Sequence, residues 1–301
     1  MYLSPSQISQ FEDDGFLVLE DCFTEADLEP LIDALSKYIN GRAAELFAAG
    51  RIDHLHSLEP FSRRYALLFE ESKEIASGIY EMKMRGEAIF RFLHHECVLD
   101  CLEDLLGPEL MCSPIQHFRA KVPARISGVR PESHQIVPWH QDAAVMAEES
   151  DGGPIITCWI PLVDATRERG CLQVLPGAHR QGYLEHRAVN ASTVELVRLP
   201  DVEPVTVEVA KGSLVFLSQF TPHGSTPNWS EREVRWSLDL RYHVTGKPSP
   251  RPWLPSIVVR SRSEPSRVFK DCDQWLQHWE EALQSAEAKR TNPHPHPSRQ
   301  R

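Results

Sequence analysis

His140 and Asp142, one residue apart in VPWHQDAAV, could grip a metal ion from a single short stretch of chain. With 14 histidines in 301 residues, that spacing also arises by accident, so local geometry has to discriminate. Pro138 disfavours helix in the residue before it, and no helical pattern resumes before the Gly152-Gly153 turn, so this stretch is expected to be extended. In an extended chain residues two apart face the same side, which lets His140 and Asp142 converge while Gln141 turns elsewhere. A competing pair, His94 and Glu96 in FRFLHHECVLDCLEDLL, has helical periodicity. Two positions along a helix lie about 200° apart around its axis, which points those side chains away from each other.

Two ligands make a weak site, and the third candidate is His223, at the end of an apolar strand pattern and before a Gly-Ser and Pro-Asn turn. Two histidines and one carboxylate form the facial set that leaves adjacent positions open on ferrous iron for a co-substrate and dioxygen. A structural zinc site would instead close four ligands, usually with cysteine, and no cysteine lies beside either histidine. In EVRWSLDLRY, Val234, Trp236, Leu238 and Leu240 share one face, and Arg235, Ser237, Asp239 and Arg241 share the other. With that polar face turned into a barrel, the Arg235 guanidinium and the Ser237 hydroxyl could clamp the far carboxylate of 2-oxoglutarate.

These side chains need a frame. SPSQISQFEDD reads as a short helix begun by Ser4 or Ser6, GFLVLED as a strand, and Thr24 as the cap of a second helix with Glu25 and Asp27 in its first turn. Residues 40–110 are mostly helical in pattern and stop at LLGPEL. From about residue 112 the chain turns to short Val, Ile and Thr-rich runs punctuated by Pro and Gly: PIQHFRAKV, PIITCWIPLVD, CLQVLPG, EPVTVEVAKGSLVFLSQ and EVRWSLDLRYHV. That texture predicts a sandwich or barrel. The expected organisation is one domain over 1–288: helices to about 110, a β core over about 112–245 and a helix over about 271–288, followed by a disordered tail over 289–301.

Composition narrows the partners. A net charge of −11 and a pI of about 5.7 argue against nucleic acid, which is held by clustered Lys and Arg. Seven scattered cysteines without a C-x-x-C suit free thiols in a reducing cytosol, and the absence of a leader pattern or a run of about 18 apolar residues predicts a cytoplasmic chain off the membrane. The expected partner is a small molecule, and the expected state a monomer or homodimer.

The ordered motifs QFEDDGFLVLEDCFTEADL, WHQD, TCWIPLVDATRERGCLQVLPGAHR, KGSLVFLSQFTPHGSTPN and VRWSLDLRY together resemble the phytanoyl-CoA dioxygenase family of iron(II) and 2-oxoglutarate-dependent oxygenases. The resemblance implies a mainly β fold with flanking helices around a double-stranded β-helix, the jelly-roll core. It implies His140, Asp142 and His223 as iron ligands, Arg235 as the 2-oxoglutarate anchor, and further co-substrate contacts from Ser237, Gln141, Trp159 and Ser225. The gap from His223 to Arg235 is 12 residues, one longer than in close relatives, which keeps Arg232 and Arg241 as alternative anchors. Halogenating relatives lack the carboxylate ligand, so Asp142 implies hydroxylation, with 2-oxoglutarate and dioxygen consumed and succinate and carbon dioxide released.

Plainer uses exist for each residue: Arg235 could pair with Asp239 or Glu233, His223 could be a satisfied core histidine, and Trp159 could simply pack. Ser225 and Ser237 could satisfy backbone groups. A cupin-like isomerase or hydrolase with a non-redox metal, or a jelly-roll that only binds, would also account for the ligand set, though neither needs an oxoacid clamp. Pocket walls are expected from residues 50–95, a lid-like loop at 124–136 and the segment GAHRQGYLEHRAVN, with Arg125, Arg130 and Arg180 available to an anionic substrate group.

Overall fold

The Ser4 hydroxyl accepts a hydrogen bond from the Gln7 amide and the Gln7 side-chain oxygen accepts one from the Ser4 amide, a capping box that starts helix α1 (Pro5–Asp14). Gly15 ends it at φ 76°, and an added Cβ there would sit 2.4 Å from the ring of His179, so only glycine fits. Strand β1 (Phe16–Leu19) follows, and then α2 (Glu25–Ala48), begun by a second box between Thr24 and Asp27. Leu28, Leu31, Leu35, Ile39, Ala43 and Leu46 recur on one buried stripe of α2 at helical spacing. The structure, a computed structural model, describes residues 1–127, 137–190 and 193–289. Arg130, most of the loop expected at 124–136, and all of the expected tail but Lys289 lie outside them.

The helical stretch continues as α3 (Phe61–Glu71), α4 (Glu87–Leu93) and α5 (Glu96–Leu106). The continuous helix expected through His94 is broken there: His94 closes α4 and His95 opens α5, a join that no Gly or Pro marks. His94 Nδ1 donates to the Phe90 carbonyl at 2.9 Å and Glu96 pairs with Arg260, so neither belongs to a metal pair. Strand β2 (Glu109–Cys112) comes next, ahead of the expected start of the β core, then β3 (His117–Lys121) and a single helical turn α6 (Ala124–Ser127). The remaining strands are β4 (Ile155–Pro161), β5 (Leu172–Val174), β6 (His186–Asn190), β7 (Thr193–Leu196), β8 (Val205–Val207), β9 (Leu214–Ser218), β10 (His223–Ser225), β11 (Arg235–Val244) and β12 (Ile257–Ser261). Helix α7 (Cys272–Lys289) completes the described chain.

All pairings are antiparallel. The larger sheet runs β1-β9-β4-β11-β2-β12, with β3 also paired to β11, and a smaller sheet runs β10-β5-β8. One edge of the long strand β11 is shared, β3 covering residues 235–239 and β2 covering 242–244. This is the jelly-roll core. Strand β12 lies beyond the expected limit of about 245, where it pairs with β2 and forms the edge of the larger sheet, and β6–β7 is a hairpin where only pocket wall was expected.

The alternation in β11 sets both the core and the site. Trp236, Leu238, Leu240 and Tyr242 enter a continuous core with residues of α2, α3, α5 and α7. Trp236 is fully buried, stacked on Phe61 at 5.3 Å and edged by Tyr65 at 5.0 Å. Burying such side chains stabilises the fold by roughly 1.5–3 kcal/mol each, and here it also braces the backbone that carries Arg235. No described helix is long and apolar enough to cross a membrane.

Candidate metal centre and co-substrate pocket

His140 and His223 form an isolated antiparallel bridge, each amide donating to the other's carbonyl at 2.9 Å. The chain is extended through Gln141 and turns sharply at Asp142, where a short 3-10 turn begins. Asp142 therefore swings back toward the histidines. Ligand atoms of His140, Asp142 and His223 all lie within 4.8 Å of one another, with His140 Nε2 3.7 Å from Asp142 Oδ1. All three residues are buried.

Neighbouring groups decide which atoms can bind metal. His140 Nδ1 donates to the Pro138 carbonyl and His223 Nδ1 to the Thr221 carbonyl, both at 2.9 Å. A carbonyl can only accept, so the proton sits on Nδ1 and each Nε2 keeps a free lone pair. Burial, then the neighbouring His140, pushes His223 down to about 4, which keeps it neutral at physiological pH. Burial alone would raise the Asp142 carboxyl, but Arg241 and the two imidazoles outweigh it and hold it well below the usual carboxylate range. Arg241 reaches both carboxylate oxygens, and the Thr157 hydroxyl donates to one of them. Two imidazole nitrogens and one ionised oxygen are a donor set suited to a divalent ion such as iron(II).

Beside the ligands lies a buried cationic recess. Arg235 is 1% exposed; its Nη1 donates to Ser237 Oγ at 2.8 Å, and its guanidinium stands 5.3 Å from the Trp159 ring centre. Lys121, the partner of Arg235 in the β3–β11 register, is 3% exposed and donates to Ser225 Oγ at 2.5 Å. Burial and then the Arg235 charge push the Lys121 amine well below its usual range. Gly170 makes room, since a Cβ there would meet the Lys121 stem at 2.8 Å. Neither cation has an ion-pair partner among the described residues. Asp239 is taken by Arg119 and Glu233 by Arg63, the two acids that could have claimed Arg235.

The expected residues thus sort by position. His140, Asp142 and His223 meet, and Arg235, Ser237, Trp159 and Ser225 gather around one recess. Gln141 is different: its amide nitrogen donates to the Gly182 and Phe220 carbonyls and its oxygen accepts from the Leu184 amide. Those three backbone bonds make it a tie between segments. Of the alternative anchors, Arg241 is committed to Asp142, and Arg232 stands outside the β11 face, before the strand begins. Arg125 pairs with Glu70 and lines a surface cleft with Glu168 and Trp229, and Arg180 pairs with Asp13, all well exposed. Sequence reasoning missed Lys121, Thr157 and the Arg241 contact. The signal for the first was HFRAK, where His117, Arg119 and Lys121 alternate onto one strand face.

Comparison with known proteins finds relatives in both sequence and fold. Phytanoyl-CoA dioxygenase domain-containing protein 1 of Bos taurus is 27% identical over 263 residues, spanning 76% of this chain and 87% of that one. The solved apo structure of the non-heme monooxygenase ThoJ superposes with a TM-score of 0.64 at 20% identity, covering 94% of this chain and 96% of that one. The epimerase SnoN, solved with Fe3+, alpha ketoglutarate and nogalamycin RO, has a TM-score of 0.56 at 17% identity, covering 82% of this chain and 86% of that one. The sequence profile described as phytanoyl-CoA dioxygenase (PhyH) matches residues 11–236, so the chain belongs to the phytanoyl-CoA dioxygenase family.

Proposed function

We propose that this protein is an iron(II)- and 2-oxoglutarate-dependent oxygenase that hydroxylates an unactivated C–H bond of a small molecule, releasing succinate and carbon dioxide. One observation carries the reading: a two-histidine, one-carboxylate centre adjoins a buried guanidinium, Arg235, and a buried amine, Lys121, that no described carboxylate pairs. Unpaired buried charge is expensive, and a dicarboxylate entering the recess would relieve it. Arg235 with Ser237 would hold the far carboxylate of 2-oxoglutarate, Lys121 with Ser225 would share its charge, and Trp159 would form the flat wall. Bound iron supplies the redox chemistry of dioxygen. His140, Asp142 and His223 would hold it on one face, and Arg241 and Thr157 would keep the carboxylate ionised and oriented. Gln141 acts as a positioning residue between two ligands. The family's description as dioxygenases and the contents of the SnoN complex support the same cofactors.

The test is succinate production from 2-oxoglutarate under air by the iron-loaded protein, screened against small-molecule libraries for a product heavier by one oxygen atom. An anaerobic titration of the iron-loaded protein with 2-oxoglutarate should raise a visible charge-transfer band. No band and no succinate, together with turnover that proceeds on zinc, would establish the non-redox alternative, in which Arg235 and Lys121 have no use.

A further inference from the structure

Among the described residues, two groups bring three metal-ligating atoms within 4.8 Å of one another; one is the centre above, and the other is His54, His56 and Glu71. We propose that this second group is a zinc-class divalent metal site that staples the loop after α2 to the last residue of α3. His54 Nδ1 lies 3.3 Å and His56 Nε2 2.5 Å from the same carboxylate oxygen, Glu71 Oε1.

The surroundings aim these atoms at a common point. The other carboxylate oxygen, Glu71 Oε2, accepts from the amides of Asp53 at 2.6 Å and His54 at 3.1 Å, which fixes the carboxylate and leaves Oε1 facing the two rings. Arg64 of α3 clamps the Leu55 carbonyl with two donors, at 3.1 and 3.0 Å, so the residue between the histidines is tied down as well. His56 takes a φ of 45°, a left-handed conformation uncommon for a residue other than glycine, and with it both imidazoles reach the same carboxylate. The ring centres stand 5.6 Å apart. Around a tetrahedral zinc with bonds of about 2.1 Å, neighbouring donors are about 3.4 Å apart, so His56 must retreat by under about one ångström to admit the ion. His54 is mostly exposed and the side chains of His56 and Glu71 are 21% and 22% exposed, which leaves an entry path from solvent and an outward position for water. Two imidazoles and a carboxylate suit zinc, or copper(II) and nickel(II) at higher affinity by the Irving–Williams order. None of the three residues contributes to the proposed oxygenase chemistry, so the two readings stand or fall separately.

The test uses zinc ion as the probe. Metal-free wild-type protein, titrated against a chromophoric chelator, is expected to take up two equivalents of zinc. His54→Ala and Glu71→Gln should each weaken one equivalent by about tenfold or more, at least the loss seen when groups supporting a ligand are removed. His54→Ala is the safer variant because its ring is mostly in solvent. In both variants the anaerobic iron and 2-oxoglutarate band should keep its wild-type amplitude, which separates this site from the buried centre. Zinc uptake that both His54→Ala and Glu71→Gln leave undiminished in amount and affinity, whether the wild type takes up one equivalent or two, would overturn the proposal.

Discussion

Arg241 brackets Asp142: its Nη2 lies 3.0 Å from both carboxylate oxygens and its Nε 3.2 Å from one of them, with both side chains nearly fully buried. The pair couples stability to metal binding. Removing one member strands the other as a buried charge, which costs about 3–5 kcal/mol. Asp142→Ala should therefore abolish 2-oxoglutarate turnover and lower the urea midpoint. Adding Arg241→Met to Asp142→Ala should restore much of the stability and none of the activity. Recovery of turnover in the double variant would remove Asp142 from the ligand set.

The recess makes a sharper kinetic prediction. Arg235→Gln removes the guanidinium fork and Lys121→Met the amine, and each leaves a shorter, uncharged stem in place. Losing a charge-assisted contact costs about 1.5–3 kcal/mol, so each should raise the KM for 2-oxoglutarate by about tenfold to a hundredfold. Iron affinity, read in the absence of 2-oxoglutarate, should stay within about a factor of two of wild type. An unchanged KM for both variants would place the oxoacid elsewhere.

Gln141 tests positioning rather than contact. Gln141→Ala leaves the Leu184 amide and the Gly182 and Phe220 carbonyls without the partners described above, at about 1–3 kcal/mol for each group left buried and unsatisfied. Because residue 141 sits between two of the proposed metal ligands, the variant should also weaken iron binding by about tenfold. A rise in the KM for 2-oxoglutarate with iron affinity intact would instead make Gln141 a direct contact.

Acid sensitivity should trace to buried neutral histidines. Burial pushes His243 down to about 4 from an ordinary value of 6.5. Below pH 6.5 the unfolded chain takes up a proton that the folded chain refuses until about pH 4, so stability present above 6.5 is lost as the pH falls. Between pH 7 and pH 5 the loss from this one residue is about 2 kcal/mol. Urea melts of His243→Leu at the two pH values should show a pH effect smaller by that amount, and an identical effect in variant and wild type would refute the assignment.

Periodicity and spacing made much of this legible. The two-residue alternation of VRWSLDLRY was enough to separate the Trp236 face from the Arg235 face, because a strand buried on both sides leaves each side chain one direction to point. Spacing also paired His140 with Asp142, although the 3-10 turn that begins at Asp142, and not an extended run through it, swings the carboxylate back toward the histidines. Lys121 stayed hidden because its meaning comes from register: only the pairing of β3 with β11 sets it opposite Arg235, and nothing local in HFRAK signals that partner. Thr157 reads as an ordinary β-branched strand residue until the fold sets it against Asp142. The break at His94 and His95 escaped for the opposite reason, since the apolar spacing on either side runs on as though one helix continued.

The reciprocal hydrogen bonds between His140 and His223 also carry a lesson about timing. The two imidazoles become neighbours only after the intervening strands have folded over one another, so a chain still emerging from the ribosome offers solvent no chelating trio. On the proposed reading, iron would load only once the co-substrate groups beside it are already in place. A nascent polypeptide is spared the hazard of carrying a redox-active ion with nothing to restrain it.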